Sequence, residues 1–365
     1  MPLQELLVNR HSQLVFIIDD PVVGLGLLRT ARLSGYRVNV IARRGCRWLR
    51  WTAGCEEFFE VEAERIEYDL INVIKEHGFD QESYLCLAAG DIATGALQEA
   101  AKDLRAGTQS VMDAESRERI NNKASFAELC TELSLPIPQT WVAEHKRDLE
   151  TLAARPGFSF PVIVKAVNVS GCAEARVVQD KHALTNIVHD PSYDFAPLII
   201  QAFITGEDAS FSFIAKEGQI QVGYGQLCSG AGVSFPADAE IYTYAAALCQ
   251  ATNYSGPANI DFRLGDDGAI YLIECNARFW ATNPFSYLLG LDLIAESGFR
   301  PGVKVINRSQ YFDEALYSFT NAVRGIVAKG PLSADKALRY FRSVFCDMPG
   351  YLFTQIPASR RLFAF

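Results

Sequence analysis

The stretch ANIDFRLGDDGAIYLIECNARFW at 258–280 places three oxygen-bearing side chains, Asp261, Glu274 and Asn276, among residues that are otherwise mostly apolar. Carboxylate and amide oxygens are the hard ligands that Mg²⁺ prefers, and Mg²⁺ usually reaches a protein together with phosphate groups. The same three residues could equally form the hydrated face of a β-hairpin. Their types alone do not separate a metal site from a solvated face.

The register of this hairpin decides whether the two carboxylates meet. The pair Asp267-Gly268 predicts a two-residue type I′ turn, because both central residues of that turn need a positive φ. With that turn, Asp261 faces Glu274 and Asn259 faces Asn276 on one side of the hairpin. The opposite side then carries an apolar set, namely Ile260, Phe262 and Leu264 against Tyr271, Ile273 and Cys275. Two facing carboxylates repel each other, and a divalent cation would remove that repulsion, but a loop with an odd number of residues would separate the pair.

Three basic residues could serve a phosphate group at such a site. Lys165 interrupts the apolar run PVIVKAV, where a lysine is uncommon without an anionic partner, although it could also reach water from a strand edge. Lys123 lies in a helical segment and by itself is an ordinary surface lysine. Arg278 offers a planar fork for phosphate or carboxylate, or a surface salt bridge. Because no GxxxxGK[ST] motif is present, a Walker-type phosphate loop is excluded as the nucleotide cradle.

The elements before this region alternate between strand and helix. The strands are predicted at LVFIID (14–19), RVNVIA (37–42), EEFFEV (56–61) and SYLCLAA (83–89), with helices after the first strand and near 64–77 and 91–105. This alternation favours a small parallel sheet flanked by helices. Gly24-Leu25-Gly26 follows the first strand, but Arg29 stands where a dinucleotide fingerprint has its third glycine, so a tight turn with close helix packing is favoured.

The pattern changes near residue 110. A helix-rich stretch at 116–135 ends at two prolines, and predicted strands follow, many of them in antiparallel neighbours, with helices near 181–189 and 237–252. We therefore expect an α/β and α+β protein with three regions, at 1–110, 111–300 and 301–365. The last region carries helical patterns near 313–328 and 333–345 and an aromatic tail that we expect to pack onto the body.

Composition excludes several classes of protein. With 365 residues, 49% of them hydrophobic, and a net charge of −9, the chain can bury a large core and has no overall attraction to nucleic acid. No apolar run approaches the length of a membrane helix, so we expect no membrane insertion and a cytoplasmic location. The nine cysteines have neither CxxC pairs nor zinc-type spacing, which indicates reduced structural thiols, Cys172 and Cys275 included.

Taken in order, these stretches resemble the motifs of the ATP-grasp superfamily, and in particular its carboxylate–amine ligases. The resemblance covers about residues 115–295 and rests on NNKASFAELCTELSLPIPQTW, FPVIVKAV, LIIQAFITGED and IDFRL…YLIECNARF. The β/α unit before them is similar to the domain that precedes the ATP-grasp fold in biotin carboxylase and carbamoyl-phosphate synthetase. The resemblance implies an ATP-grasp fold with an N-terminal β/α domain at 1–110.

The resemblance also implies a role for each matching residue. Lys123 and Lys165 would contact the ATP phosphates, and Arg278 the reacting phosphoryl or acyl group. Adenine would lie against the hinge formed by Gln201, Ala202, Phe203 and Ile204. Asp261, Glu274 and Asn276 would hold Mg²⁺, with Mn²⁺ as an alternative cation.

Two departures from the family pattern bear on nucleotide binding. The loop after Lys165 keeps one glycine, Gly171, where many relatives have a glycine-rich flap, so fewer backbone N–H groups are freely approachable. Gln201 replaces the usual acidic residue of the hinge, although an amide oxygen can still accept from the adenine amino group.

The function that the resemblance implies is an ATP-dependent ligase, which activates a carboxylate as an acyl phosphate and joins it to an amine. An amino acid is the expected substrate on one side, and a homodimer is one expected assembly. Acceptor pockets are expected near Val233-Ser234-Phe235 and between Trp280 and Ser286. The alternative is a regulatory nucleotide-binding module without turnover.

Overall fold

The computed structural model describes residues 13–109, 111–167, 174–229, 232–235, 239–298, 304–305 and 310–312. These residues form three sheets, one parallel and two antiparallel or mixed, with helices on their faces. The mixed α/β and α+β architecture expected from the sequence is confirmed. The helices predicted near 313–328 and 333–345 and the aromatic tail lie outside the described residues.

A five-stranded parallel sheet forms the first part of the chain. Its elements are β1 (Gln13–Ile18), α1 (Pro21–Leu33), β2 (Val38–Arg43), a 3₁₀ helix (Arg44–Trp51), β3 (Cys55–Val61), α2 (Ala63–Glu76), β4 (Tyr84–Ala89), α3 (Asp91–Ala100) and β5 (Gly107–Thr108). The strand order β3-β2-β1-β4-β5 reverses direction between β1 and β4. At such a reversal the carboxyl ends of the strands border a crevice, and Asp91 lies at this edge, separated from the end of β4 by Gly90.

The two glycines of α1 serve close packing. A Cβ atom on Gly24 would lie 2.5 Å from Ile18 Cγ2, and one on Gly26 would lie 2.5 Å from the backbone oxygen of Ala281. These distances leave no room for a larger side chain. The close packing expected of Gly24-Leu25-Gly26 is therefore confirmed, whereas the expected turn is wrong, because both glycines lie within α1. Through Gly26, α1 lies directly against Ala281, which follows the hairpin that is predicted to bind a metal.

Four helices and a four-stranded antiparallel sheet come next. They are α4 (Ala114–Asn121), α5 (Lys123–Glu132), β6 (Thr140–Ala143), α6 (Asp148–Ala153), β7 (Val162–Ala166), β8 (Arg176–Val178), α7 (Lys181–His189) and β9 (Leu198–Ala202), with strand order β6-β9-β7-β8. The helix-rich stretch breaks at Asn122, which is extended and accepts hydrogen bonds from the N–H groups of Ala124 and Ser125. Lys123 is consequently the first residue of a new helix, where the positive end of the helix dipole lies.

The remaining elements are the strands of a seven-stranded sheet and three helices. They are β10 (Gly206–Lys216), β11 (Gln219–Ser229), β12 (Gly232–Phe235), α8 (Ala239–Thr252), β13 (Gly256–Gly265), β14 (Ile270–Asn276), α9 (Pro284–Leu288), α10 (Leu293–Gly298), β15 (Lys304–Val305) and β16 (Gln310–Phe312). The strand order is β14-β13-β10-β11-β12-β16, with β15 beside β11. One apolar core joins this sheet to the parallel sheet, since Phe16 and Leu27 share it with Val222, Tyr224 and Trp280.

The β13-β14 hairpin differs from its prediction at the turn. Gly265 and Ala269 flank a three-residue loop, in which Gly268 has a φ of +79° and its N–H donates to the Gly265 oxygen. This is a type I turn closed by a left-handed glycine, so the predicted two-residue turn at Asp267-Gly268 is wrong. An odd loop by itself would have placed the two carboxylates on opposite faces.

A β-bulge restores the pairing that the odd loop would have removed. The register shifts between Asp261 and Phe262, because Phe262 pairs with Leu272 while Asp261 pairs with Glu274, which leaves Ile273 as the extra residue. The predicted pairs Asp261 with Glu274 and Asn259 with Asn276 are therefore confirmed. The predicted apolar face is wrong on the turn side of the bulge, where the buried residues are Ile270 and Leu272 instead of Tyr271 and Ile273.

Candidate functional site

The sheet aligns the predicted metal ligands across β13 and β14. Asp261 lies opposite Glu274, and Asn259 lies opposite Asn276. The two amides hold the Asp261 carboxylate, because Asn259 Nδ2 donates to Oδ1 at 2.7 Å and Asn276 Nδ2 donates to Oδ2 at 3.0 Å. Ser212 on β10 fixes the Asn259 amide in turn, through a 2.7 Å hydrogen bond to its Oδ1. The carboxylate of Asp261 is thus oriented by a network that spans three strands.

The two predicted lysines converge on the same place from the smaller antiparallel sheet and from α5. Lys165 Nζ lies 3.1 Å from Glu274 Oε2, an ion pair between residues 109 positions apart in sequence. Lys123 Nζ donates to the Val167 oxygen at 3.4 Å. Both lysines are buried, with 7% and 8% of their surface exposed. The site therefore brings two buried cations close to the carboxylate pair, which a solvated hairpin face does not need.

The titration behaviour of the two carboxylates differs because their surroundings differ. Burial raises the pKa of Asp261 to about 7, and the negative charge of Glu274 adds to the rise. Burial also disfavours the charge of Glu274, but Lys165, Lys123 and Arg278 outweigh it and hold the pKa of that carboxyl below its usual value. Burial lowers the pKa of the Lys123 ammonium, against the opposing charge of Glu274. Glu274 thus keeps its negative charge, whereas the negative charge of Asp261 is disfavoured by burial and would be stabilised by a cation.

Arg278 is held by a carboxylate that sequence analysis did not single out. Its Nε donates to Asp91 Oδ2 at 2.9 Å, and its Nη2 donates to Asn276 Oδ1 at 3.1 Å. Arg117 and Asn121 also donate to Asp91 Oδ1, at 3.2 and 3.4 Å. Burial works against the charge of Arg278, but Asp91 outweighs it and holds the pKa of the guanidinium above its ordinary value. The position of Asp91, one glycine beyond a buried parallel strand, was the one sequence signal that could have identified it.

The predicted adenine hinge connects the two antiparallel sheets. Gln201 is buried and its Nε2 donates to Thr140 Oγ1 at 3.2 Å, which orients the amide and leaves Oε1 as an acceptor. The N–H groups of Ala202 and Phe203 donate to Gln139 and Pro161 oxygens, at 2.9 and 3.0 Å. The N–H of Ile204 has no hydrogen-bond acceptor among the described residues. This segment therefore offers one amide oxygen and one backbone N–H, the two groups with which an adenine edge can pair.

A cavity borders one of the two segments at which acceptor pockets are predicted. Trp280, the first residue of the predicted segment, lines a cavity that also borders Asp261, together with Ala281 and Thr282. Ser286 is buried and its hydroxyl donates to the Asn283 oxygen at 2.7 Å, which makes it a structural residue. The predicted residues 233–235 form β12, and their side chains lie outside the described part of the structure.

The described cysteines support the prediction of structural thiols. Cys275 faces the core with 2% of its surface exposed, and burial raises the pKa of its thiol well above the usual value. Cys46, Cys86, Cys130 and Cys249 are buried as well, and all of them are free thiols. Cys172 lies outside the described residues. A buried thiol with a raised pKa is a poor nucleophile.

The donor set fits a cation that arrives with phosphate groups. Within the described ranges, no group of three or more His, Cys, Asp or Glu side chains converges to form a metal cage. The site offers two carboxylates and the Asn276 amide, and Mg²⁺ with bound phosphates commonly uses only one or two protein carboxylates.

No helix among the described residues is long and apolar enough to cross a membrane.

Comparison with known proteins identifies the same region. Residues 120–282 match the family model of the ATP-grasp domain. The chain is 25% identical over 258 residues to a D-aspartate ligase of Enterococcus faecium, an alignment that covers 61% of this chain and 60% of that protein. The chain thus spans less than two thirds of this relative.

Two solved structures share the fold over most of the described residues. One is an L-amino acid ligase from Bacillus licheniformis, with a TM-score of 0.58 and 18% identity over 80% of this chain and 74% of that one. The other is a complex of biotin carboxylase from Campylobacter jejuni with β,γ-ATP, with a TM-score of 0.61 and 16% identity over 82% and 74% of the two chains. The fold, the order of the motifs and the match at 120–282 agree with one another, and residues 120–282 of this chain are therefore an ATP-grasp domain.

Proposed function

We propose that this protein is an ATP-dependent ligase that joins a carboxylate to an amine. The observation that carries the proposal is the Asp261 and Glu274 pair, in which Glu274 contacts the Lys165 ammonium, with the Arg278 guanidinium held close by through Asp91 and Asn276. Enzymes that transfer phosphoryl groups use paired carboxylates to bind a metal ion and use buried cations to bind the phosphates. Their catalysis consists of positioning the reactants and stabilising charge. The D-aspartate ligase and L-amino acid ligase relatives support an amino acid as one substrate.

The proposed reaction has two balanced steps. A carboxylate oxygen forms a bond to the γ-phosphorus of ATP, and the bond from that phosphorus to the β–γ bridging oxygen breaks to release ADP. The amine nitrogen then forms a bond to the acyl carbon, the carbon–oxygen bond to the phosphoryl group breaks, and inorganic phosphate leaves as the nitrogen loses a proton to solvent or phosphate. The first step is needed because a free carboxylate has no adequate leaving group.

The residues of this chain would bind and orient the reactants. Lys123, at the start of α5, and Lys165 would hold the phosphates, and the hinge at 201–204 would hold adenine. Asp261, Glu274 and Asn276 would hold Mg²⁺, which when bound neutralises charge on the transferring phosphoryl group. Arg278 would face the phosphoryl or acyl oxygens, in an orientation fixed by Asp91.

Asn259 extends this assignment beyond the residues that the sequence motifs point to. It holds Asp261 Oδ1 while Asn276 holds Oδ2, so both oxygens of that carboxylate are engaged. A cation at the site would have to share Asp261 with these amides. Asn259 is therefore proposed as a positioning residue for the metal ligand.

A coupled assay separates the ligase from the regulatory module. Purified protein is given MgATP and a pool of amino acids and small carboxylates, with hydroxylamine present to trap any acyl phosphate as a hydroxamate. A ligase releases ADP only when an acid is present and forms the hydroxamate of that acid. A module without turnover binds nucleotide but produces neither ADP nor hydroxamate with any acid.

Variants of the metal ligands tie this activity to the site. Asp261→Asn and Glu274→Gln should each reduce hydroxamate formation at least about a hundredfold, because both remove a charged ligand. Asp103→Asn and Glu82→Gln make the same chemical changes at exposed positions and should retain full activity. Normal turnover by either site variant would show that the metal assignment is wrong.

The proposal includes small-molecule substrates, a cytoplasmic location, where ATP is available, and self-association into a homodimer. Sedimentation velocity of the full chain measures the last of these directly. A homodimer is expected to sediment as one species of twice the chain mass, whereas a monomer would remove this part of the proposal without affecting the ligase chemistry.

A further inference from the structure

A cavity of about 250 Å³ opens beside Asp261 on the face of the large sheet that carries the metal ligands. Its lining comes from three neighbouring strands and from the segment that follows β14. The lining residues are Asp208, Ala209, Ser210, Gln226, Asn259, Asp261, Trp280, Ala281 and Thr282. The space is sufficient for a small organic molecule in contact with the proposed reaction centre.

The strand register shows on which side of the metal ligands this cavity lies. Gln226, Ser210, Asp261 and Glu274 are direct neighbours across β11, β10, β13 and β14 and form one row. Adjacent strands are about 4.8 Å apart, so Gln226 is roughly 10 Å from Asp261 along the row. Glu274 lies at one end of this row and the cavity lies at the other, with Asp261 between them.

The two ends of the row differ in charge. On the β14 side, Lys165 contacts Glu274 and Arg278 contacts Asn276. On the cavity side, the only charged groups among the described lining residues are the carboxylates of Asp208 and Asp261. Asp208 is already paired with Arg263 at 2.6 Å, and Asp261 would be paired with the metal ion. The described lining therefore offers oxygen acceptors and hydroxyl groups, and the cation shown beside it, Arg263, is already paired with Asp208.

Because of this difference in charge, the two organic substrates of the proposed reaction are expected to bind at opposite ends of the row. A carboxylate and its acyl phosphate need cations and N–H donors, which the β14 side supplies. An amine needs acceptors for its N–H groups, which Asp208, Ser210 and the buried Gln226 amide supply. A second carboxylate placed in the cavity would be desolvated without a cationic partner, which costs free energy.

We propose that this cavity binds the amine substrate, and that the amine it accepts is a small cationic or neutral one without a carboxylate close to its amino group. Gln226 and Ser210 bind the amine, Asp208 keeps the Arg263 guanidinium from pairing with an anionic competitor, and Trp280 and Ala281 limit the size of the amine. This inference rests on the proposed ligase function and specifies the acceptor for it.

The test compares matched amines with the acid that the hydroxamate assay identifies. Glycinamide and L-alaninamide are compared with glycine and L-alanine, since each pair differs in the presence of the carboxylate. We expect the KM of each amide to be at least about tenfold lower than that of its free acid. Equal or lower KM values for the free acids would overturn the inference about substrate class.

Variants test whether the cavity itself is responsible. Gln226→Met keeps the size of the side chain and removes its hydrogen-bonding groups, so it should lower the ratio of amide product to hydroxamate at least about tenfold at a fixed amine concentration. Gln221→Met is the matched control, because Gln221 is buried to a similar extent on β11 and does not line the cavity. The control should keep the wild-type ratio.

Asp208→Asn is a second variant, at an exposed position where folding is not at risk. It removes a negative charge and releases the Arg263 guanidinium, so the preference for L-alaninamide over L-alanine should shrink several-fold. If wild-type protein forms hydroxamate but both cavity variants, Gln226→Met and Asp208→Asn, keep its product ratio and its preference, the cavity does not bind the amine while the ligase function stands. If wild-type protein forms no hydroxamate with any acid, the ligase function itself fails.

Discussion

Asp261 is the residue at which the proposed metal site can be examined most directly. Its carboxylate is partly buried, faces Glu274, and receives hydrogen bonds from two amides that do not neutralise its charge. The cations of the site contact Glu274 and Asn276 instead. A metal ion bound to Asp261 would stabilise its buried negative charge and would also reduce its repulsion from Glu274.

The pH dependence of stability follows from the raised pKa of Asp261. Its pKa is about 7 in the folded protein against 3.8 as the ordinary value, so between these values the folded state holds a proton that the unfolded state has lost. The contribution of Asp261 to the free energy of unfolding therefore falls as the pH rises from about 4 to about 7. Bound Mg²⁺ favours the charged carboxylate, so stabilisation by Mg²⁺ should be larger near about pH 8 than near about pH 5.5, by of order 1–3 kcal/mol.

Thermal unfolding with and without saturating Mg²⁺ at the two pH values measures this difference. Asp261→Asn cannot titrate and should show the same Mg²⁺ effect at both. A wild-type Mg²⁺ effect that does not change with pH would contradict the assignment of Asp261 as a ligand.

Lys165 should be required for nucleotide binding. Lys165→Met removes the partner of Glu274 and one of the cations proposed for the phosphates, so the Kd for MgATP should rise about 10- to 100-fold. Lys181→Met changes an exposed lysine on the same part of the chain, at the start of α7, and should leave the Kd unaltered. Calorimetric titration measures both, and an unchanged Kd for Lys165→Met would remove Lys165 from the phosphate site.

The sequence identified these residues more readily than it identified their partners. A lysine within PVIVKAV and carboxylates within a strand pattern are locally unusual, so Lys165, Asp261 and Glu274 could be recognised one at a time. The partner of Arg278 could not, because Asp91 lies 187 residues away and only the packing of two sheets brings the two together.

At the scale of the element, the β13-β14 hairpin pairs its carboxylates through two features that compensate. The three-residue loop shifts the register by one residue and the bulge at Ile273 shifts it back. Regular alternation predicted the correct pairs from an incorrect turn. The sequence does carry a signal for the bulge, since Leu272 and Ile273 are consecutive apolar residues that interrupt the alternation, but a bulge depends on tertiary packing that periodicity does not describe.

Gly268 should contribute to stability through its backbone conformation. Its φ of +79° is unfavourable for any residue with a Cβ atom, although no atom lies near the position of that Cβ. Gly268→Ala should therefore lower the free energy of unfolding by about 1 kcal/mol. Gly45→Ala is the matched control, since its surroundings are equally open and its φ is not in the left-handed region. Urea unfolding distinguishes the two, and an equal effect of both substitutions would contradict the turn assignment.

At the scale of the whole molecule, the parallel sheet and the ATP-grasp region meet at the site. Their apolar residues form one core, α1 packs against Ala281 through Gly26, and Asp91 reaches Arg278. The sequence predicted both regions, and the division at 1–110, 111–300 and 301–365 stays a proposal. The contact between the regions could not be predicted, because it depends on how two independently patterned sheets orient toward each other.

Asp91→Asn should test whether this contact serves catalysis. The guanidinium of Arg278 would keep its place near Asn276 but lose its charged partner, so turnover should fall at least about tenfold while the Kd for MgATP changes less than about threefold. The free energy of unfolding should fall by about 1–3 kcal/mol, because Arg278 is largely buried. Asp69→Asn disrupts an exposed Asp–Arg pair on α2 and should not affect turnover.

A purely structural role for Asp91 would lower stability and leave turnover per folded molecule unchanged. A double-mutant cycle of Asp91→Asn with Arg278→Lys adds a second measurement, because coupled residues give non-additive losses of turnover. Additive losses would show that Asp91 acts independently of Arg278.

The central claim is that Asp261 and Glu274 together hold the metal ion of the nucleotide. The most direct test is a titration with Mn²⁺ in the presence of ATP, in which electron paramagnetic resonance counts free and bound Mn²⁺. We predict that wild-type protein binds the Mn²⁺–ATP complex and that Asp261→Asn and Glu274→Gln each weaken this binding at least about tenfold. Binding of Mn²⁺–ATP by both folded variants with the affinity of the wild-type protein would contradict the claim.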